Sequence, residues 1–220
     1  TEIIPTFCQR QIYGYKAVAI SSLAIAGVGF LVWGHHMYTS GMSDQGRWFF
    51  SLLTFIVAVP SAIKVFNWIT TMYKGSIDVK PPFLYALAFI FLFIIGGTTG
   101  LLLGSVATNV QVHDTSFVVA HFHYIIFGGM GFAFFAAIHY WLPKMYGRMY
   151  DFKIANIALV INFIGFNLLY FPQFIIGVEG MPRRYFDYPA QFQPMQVVSS
   201  IGGFILVAGL ILMVFNLVKG

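Results

Sequence analysis

The stretch VVAHFHYIIFGG, from Val118 to Gly129, carries two imidazoles, His121 and His123, inside an apolar run. Polar and titratable groups within such runs are costly and usually functional. Successive helical residues turn by about 100°, so positions i and i+2 point about 200° apart. One helix would then present imidazoles to opposite sides. The two cannot share one metal, but they suit two separate planar cofactors flanking the helix, each taking an axial nitrogen. A lone histidine would favour a plain structural role, bonded to a neighbouring helix. For this pair, between glycine-rich helices, ligands are the better reading.

A second pair, His35 and His36, stands in WGHHMYTSG near the end of the first apolar segment. Consecutive helical residues diverge by about 100°. Both reach one metal only if it lies between their directions or the helix is distorted. Neutral imidazole suits copper, iron or zinc. His113 beside Asp114 in VQVHDT is a partial metal site, and Arg183 with Arg184 in GMPRRYFDYP is a paired clamp for carboxylates or phosphates. Each of these two alone reads as an ordinary loop charge cluster. His139, near a helix end, reads as interfacial and structural.

Lys64 lies in FIVAVPSAIKVFNW, where the sequence places it near the middle of a span. Thr54, Ser61 and Lys64 recur at seven and then three residues, so they share a helical face. Pro60 should kink that helix and free a carbonyl for Ser61 or water. The bland reading is a lysine snorkelling to the interface. Central placement favours a proton or ion path instead.

These residues need elements to hold them. The chain has 220 residues, of which 59% are hydrophobic and 9% charged, with mean hydropathy +0.80. That charge is too little to cover a soluble surface. The sequence predicts an all-α polytopic membrane protein. Six segments reach the roughly 20 apolar residues a span requires: about 15–38, 48–72, 82–104, 116–142, 153–177 and 195–217. No internal repeat or long linker is visible, so one bundle with short connections is expected over 1–220. Trp48, Tyr73, Tyr140 and Trp141 fit interfacial belts. The glycines at 128, 129 and 131 predict close packing.

The net charge of +5 reflects membrane orientation rather than nucleic-acid binding. Arg10 and Lys16, then Lys74, Asp78 and Lys80, then Lys144, Arg148, Asp151 and Lys153, and finally Lys219 fall on one side, and each group is net positive. The opposite loops are not. The positive-inside rule puts both termini on the cytoplasmic or matrix side. Cys8 is a single thiol, which rules out an internal disulfide. The chain opens TEIIPTF without Met and closes directly after an apolar run. That predicts a processed, split or truncated polypeptide.

Four motifs in order, WGHHMYTSGM, PSAIKVFNW, HDTSFVVAHFHY and GMPRRYFDYP, resemble subunit I of the haem–copper terminal oxidases, in the A-type branch of cytochrome c and quinol oxidases. The likeness runs over essentially the whole chain and corresponds to the last six of the family's twelve helices. It implies that His121 is the axial ligand of the high-spin haem and His123 one axial ligand of the low-spin haem, with Phe122 between them. It implies that His35 and His36 are two of three ligands of the active-site copper. Thr54, Ser61 and Lys64 correspond to a proton pathway, in which the family more often has Thr where Ser61 stands. His113 and Asp114 correspond to magnesium or manganese ligands. Arg183 and Arg184 correspond to the pair that binds haem propionates.

The resemblance also implies two haems (a/a3 or b/o type), partnership with an N-terminal half of subunit I and with subunits II and III, cytochrome c or quinol as donor, and O2 as acceptor. The expected location is the bacterial plasma membrane or the mitochondrial inner membrane. The third copper histidine, its linked tyrosine, the second low-spin ligand and a pathway glutamate lie upstream in the family and outside these residues. The chain alone is therefore not expected to sustain turnover. The rival readings are a nitric oxide reductase of the same superfamily, with non-haem iron in place of copper, and a non-catalytic haem-binding fragment. The hydroxyl stripe ending at Lys64 favours the oxidase.

Overall fold

The computed structural model describes residues 1–220. Every regular element is helical, and the only strand-like pairing is an isolated bridge between Thr115 and Pro182. Six helices are long and apolar enough to cross a membrane: Tyr15–Met37, Asp44–Met72, Pro81–Gly104, Ser116–Tyr146, Phe152–Val178 and Ala190–Lys219. They coincide with the six segments read from hydropathy. Many apolar side chains on them face outward, Phe30 at 85% exposure and Phe204 at 78% among them. Such a surface is stable against lipid or another protein, not against water.

The chain divides into two compact units. The first comprises residues 1–77 and 97–113. It holds α1 (Ile3–Cys8), α2 (Tyr15–Leu31), a 3₁₀ turn (Trp33–Met37) and α3 (Asp44–Met72). It also holds the end of α4 (Pro81–Gly104) and the short α5 (Val106–Val112). Gly14 turns the chain into α2 at φ +61°, and a Cβ there would sit 3.1 Å from the Asn67 amide, so glycine serves both the turn and the contact. Ser43 caps α3, its hydroxyl accepting from the Gly46 amide at 3.2 Å, and Asp44 follows in the first turn, where the helix dipole favours a carboxylate. The helix runs unbroken through Pro60.

The second unit comprises residues 78–96 and 114–220. Its central span is three segments end to end: α6 (Ser116–His123), a π-helical stretch (Tyr124–Gly131) and α7 (Phe132–Tyr146). A uniform α-helix was the expectation for this run. The wider π turn follows directly on the two histidines, over the stretch that contains Gly128, Gly129 and Gly131. Such segments are rare and cluster at functional sites. A Cβ on Gly128 would lie 3.0 Å from Leu92 Cβ, and one on Gly129 3.1 Å from the Phe93 ring. Tyr124 is fully buried and donates to Asn167 Oδ1 at 2.8 Å, tying the π stretch to α8 (Phe152–Val178).

Asp151 starts α8, its carboxylate accepting from the amides of Lys153 (2.7 Å) and Ile154 (3.1 Å). The most extensive helix–helix contact is between α8 and α9 (Gln193–Lys219). Gly165 faces the backbone of Leu206, and Gly202 faces the backbone of Leu168 and Leu169. Missing side chains let the two backbones approach closely, the usual device of membrane helix pairs.

Candidate functional site

His121 and His123 are both half-buried on α6. His121 Nδ1–H donates to the Gly96 carbonyl of α4 at 3.0 Å. His123 Nδ1–H donates to the Val119 carbonyl at 2.8 Å, and its ring stacks on Tyr170 of α8 at 4.1 Å between centroids and 17° between planes. The two rings thus lie against different helices. In each, a carbonyl accepts from Nδ1, which fixes the neutral tautomer and leaves the Nε2 lone pair as the ligating atom. Metal-binding histidines are held this way. Tyr170 was not singled out from the sequence; an aromatic in an apolar span gives no signal by itself.

Phe122 lies between the histidines, and the Arg183 guanidinium stands 5.7 Å from its ring centroid. Arg183 and Arg184 both address Asp114 Oδ1, at 3.9 Å and 3.3 Å. Arg183 is the more enclosed, and its Nε is buried without a hydrogen-bond partner. The loop before α6 is laced to the loop after α8 by two backbone bonds, Ser116 N to Met181 O and Arg183 N to Asp114 O, both 2.9 Å. Asp114 and Arg184 take left-handed φ values of 54° and 59° in these turns. This lacing sets Arg183 beside Phe122. Asp114 Oδ1 accepts from Arg184 and forms a longer ion pair with Arg183, so a metal at this carboxylate would have to displace or share both guanidinium groups.

In the first unit the adjacent pair is not on a regular α-helix. His35 and His36 belong to the 3₁₀ turn. Tighter winding brings their Nε2 atoms to 3.0 Å, with rings 4.2 Å apart. Two nitrogens that each bind one metal at about 2.0 Å can have such a separation. Phe50 packs where a Cβ on Gly34 would stand, which holds the turn against α3. His35 Nδ1 lies 3.1 Å from Thr54 Oγ1, whose own proton goes to the Phe50 carbonyl at 2.7 Å. Nδ1 is therefore the protonated nitrogen, and Nε2, which faces His36 Nε2, carries the lone pair. No group of three His, Cys, Asp or Glu side chains that could hold a metal ion occurs in the chain.

The Thr54–Ser61–Lys64 face is continuous on α3. Ser61 donates to the Val57 carbonyl at 3.1 Å, the same i−4 bonding that Thr54 makes. Lys64 Nζ lies 5.6 Å from the Trp68 ring centroid. Lys64 is not mid-span, as the sequence suggested. It stands 20 residues after Asp44 and eight before Met72. Tyr38 was also missed, although it lies in the same motif as the histidines. It is fully buried, its hydroxyl donates to the Gly104 carbonyl at 3.4 Å, and burial pushes its phenol above the ordinary range while the Thr54 and Ser51 hydroxyls pull the other way. His139 is 1% exposed and enclosed by protein.

Residues 1–205 match the family described as cytochrome c and quinol oxidase polypeptide I. Cytochrome c oxidase subunit 1 of Synechocystis is 44% identical over 98% of this chain and 39% of its own length. That of Cereibacter sphaeroides is 45% identical over 93% of this chain and 36% of its own. Quinol oxidase subunit 1 of Bacillus subtilis is 42% identical over 99% of this chain and 34% of its own. A heme-copper terminal oxidase dimer solved by cryo-EM superposes with TM-score 0.77 at 26% identity, covering 84% of this chain and 38% of that one. The chain therefore spans well under half the length of these relatives.

Proposed function

Because the chain belongs to the cytochrome c and quinol oxidase polypeptide I family, we propose that it forms part of the catalytic subunit of a respiratory terminal oxidase. That enzyme reduces O2 to water at a high-spin haem–copper centre and couples the reaction to proton translocation. The observation that carries this reading is the histidine pair on α6, where each Nδ1 is tied to a carbonyl and the two rings lie against different helices.

In this reading His121 Nε2 holds the high-spin haem and His123 Nε2 the low-spin haem, with Tyr170 fixing the His123 ring plane. Phe122 sits between them. Arg183 and Arg184 meet haem propionates, for which a planar guanidinium is suited. The unpartnered Arg183 Nε supports that role, since a buried donor calls for an acceptor. His35 and His36 supply two nitrogens to copper. His113 and Asp114 are the magnesium or manganese candidates, though Asp114 already serves the arginines. The haems and copper would supply electron transfer and O2 binding. The chain's own residues orient them and move protons.

Lys64, Ser61 and Thr54 form the proton route, and Thr54 connects it to His35. Each charge carried across the membrane stores about 2.3 kcal/mol per 100 mV. The partners are the rest of subunit I and subunits II and III, with cytochrome c or quinol as donor. The location is a bacterial plasma membrane or mitochondrial inner membrane, with both ends of this stretch on the positive-inside face.

The test is spectroscopic, on the assembled complex. His121→Ala should remove the high-spin haem signal and His123→Ala the low-spin one. Spectra in which both substitutions strike the same haem would overturn the assignment.

A further inference from the structure

One buried polar group in the second unit has no part in the haem and copper reading. His139 of α7, Tyr85 of α4 and Asn162 of α8 are each 1% exposed or less. The His139 ring stacks on Tyr85 at 4.7 Å and 24°, and meets the Tyr150 ring edge-on at 4.8 Å and 89°. The Asn162 side chain approaches the Tyr85 hydroxyl without reaching hydrogen-bond geometry. A Cβ on Gly209 would collide with the Asn162 amide, so the glycine keeps that space open.

His139 Nδ1–H donates to the Phe135 carbonyl at 2.7 Å. A carbonyl only accepts, so the neutral ring has its proton on Nδ1 and a lone pair on Nε2. That Nε2, the Tyr85 hydroxyl, and both Oδ1 and Nδ2 of Asn162 are buried with no hydrogen-bond partner. Buried polar atoms are almost always paired. The stacked rings cannot satisfy one another, because the Nε2 lone pair and the phenol O–H each lie in their own ring plane and the planes are nearly parallel. The set offers one obligate acceptor, one hydroxyl and an amide with two donors and an acceptor. Water, which can donate twice and accept twice, complements it, and a buried water needs two to four polar partners.

We propose that Tyr85, His139 and Asn162 hold internal water, which donates to His139 Nε2 and bridges it to the Tyr85 hydroxyl and the Asn162 amide. The site is polar and sits in a layer of aromatic rings, including Phe132 and Phe135 beside Tyr85.

The test uses the intact oxidase complex that contains this chain, in lipid, imaged by cryo-EM at a resolution that shows ordered water. A density peak is expected at about 2.7–3.2 Å from His139 Nε2 and from at least one of Tyr85 Oη and the Asn162 amide. Asn162→Leu should remove or displace it. A map with no peak, or with Asn162 turned to bond Tyr85 or His139 directly, overturns the proposal. So does a peak that Asn162→Leu leaves unmoved. Should that variant fail to assemble, ¹⁵N spectroscopy of the parent reads the same question. The His139 Nε2 resonance should be that of a hydrogen-bonded acceptor, and a free-nitrogen shift would contradict the bridge.

Discussion

Lys64→Met separates a proton carrier from a structural lysine. Helix α3 has 29 residues, about 43 Å at 1.5 Å each, against a hydrocarbon core of about 30 Å. With the excess shared between both ends, the Lys64 backbone lies roughly 5 Å inside the nearer boundary. A lysine at the centre of a span costs about 2.5–3.5 kcal/mol. At this shallow depth, with a flexible stem, about 1 kcal/mol is a reasonable share. The Trp68 contact at 5.6 Å returns about 0.5–1 kcal/mol. The two nearly cancel, so Lys64→Met should change stability by no more than about 1 kcal/mol in either direction. Methionine keeps the length and removes the titrating amine. Losing a positioned proton donor costs about 10²–10⁴-fold in rate. The assay is O2 consumption, with haem and copper content and the thermal midpoint measured on the same preparation. Normal cofactors, an unchanged midpoint and a turnover loss of at least about 100-fold are expected. Turnover within a few-fold of the parent would refute the route and leave Lys64 as a snorkelling residue.

Two further outcomes concern stability and access. Gly202→Ala puts a methyl against the Leu168–Leu169 backbone, which cannot swing aside. Overpacking of about 1–3 kcal/mol exceeds the roughly 1 kcal/mol gained in helix propensity, so its thermal midpoint should fall. Gly203→Ala, 3.8 Å from Leu169 Cδ1, should be tolerated, and equal effects would contradict the close approach of α8 and α9. Cys8 is fully buried, and burial pushes its thiol above the ordinary range. Below the ordinary cysteine pKa, folded and unfolded chains are both protonated and this contribution to stability is complete. It is lost as pH rises toward the folded value. Iodoacetamide should therefore label Cys8 far more slowly than a free thiol at pH 8, and labelling at the free-thiol rate would exclude that burial.

The sequence showed the spans clearly because lipid demands long uninterrupted apolar runs, and six runs became six helices. It also located the histidine pairs, since imidazoles in apolar runs stand out. It could not show local winding. The 3₁₀ turn that converges His35 and His36 and the π stretch after His123 both depart from the uniform 100° step on which helical-face arguments rest. A central Lys64 does not follow from the span itself, which is 48–72 in the sequence and Asp44–Met72 in the structure and leaves only eight residues between the lysine and the nearer end. Tyr170 and Tyr38 were not singled out, and His139 was noted without Tyr85 and Asn162, because their roles come from partners distant in the chain. The glycines with the closest backbone approaches, Gly177, Gly202 and Gly165, lie outside the cluster at 128–131 that drew notice.

The claim that this chain contributes two nitrogens to an active-site copper is tested most directly by metal analysis of the assembled complex. His35→Ala and His36→Ala should each lower copper relative to the parent while both haems persist, and O2 reduction should fall with the copper. Unchanged copper with full O2 reduction in both variants would contradict the account, as would non-haem iron in place of copper in the parent.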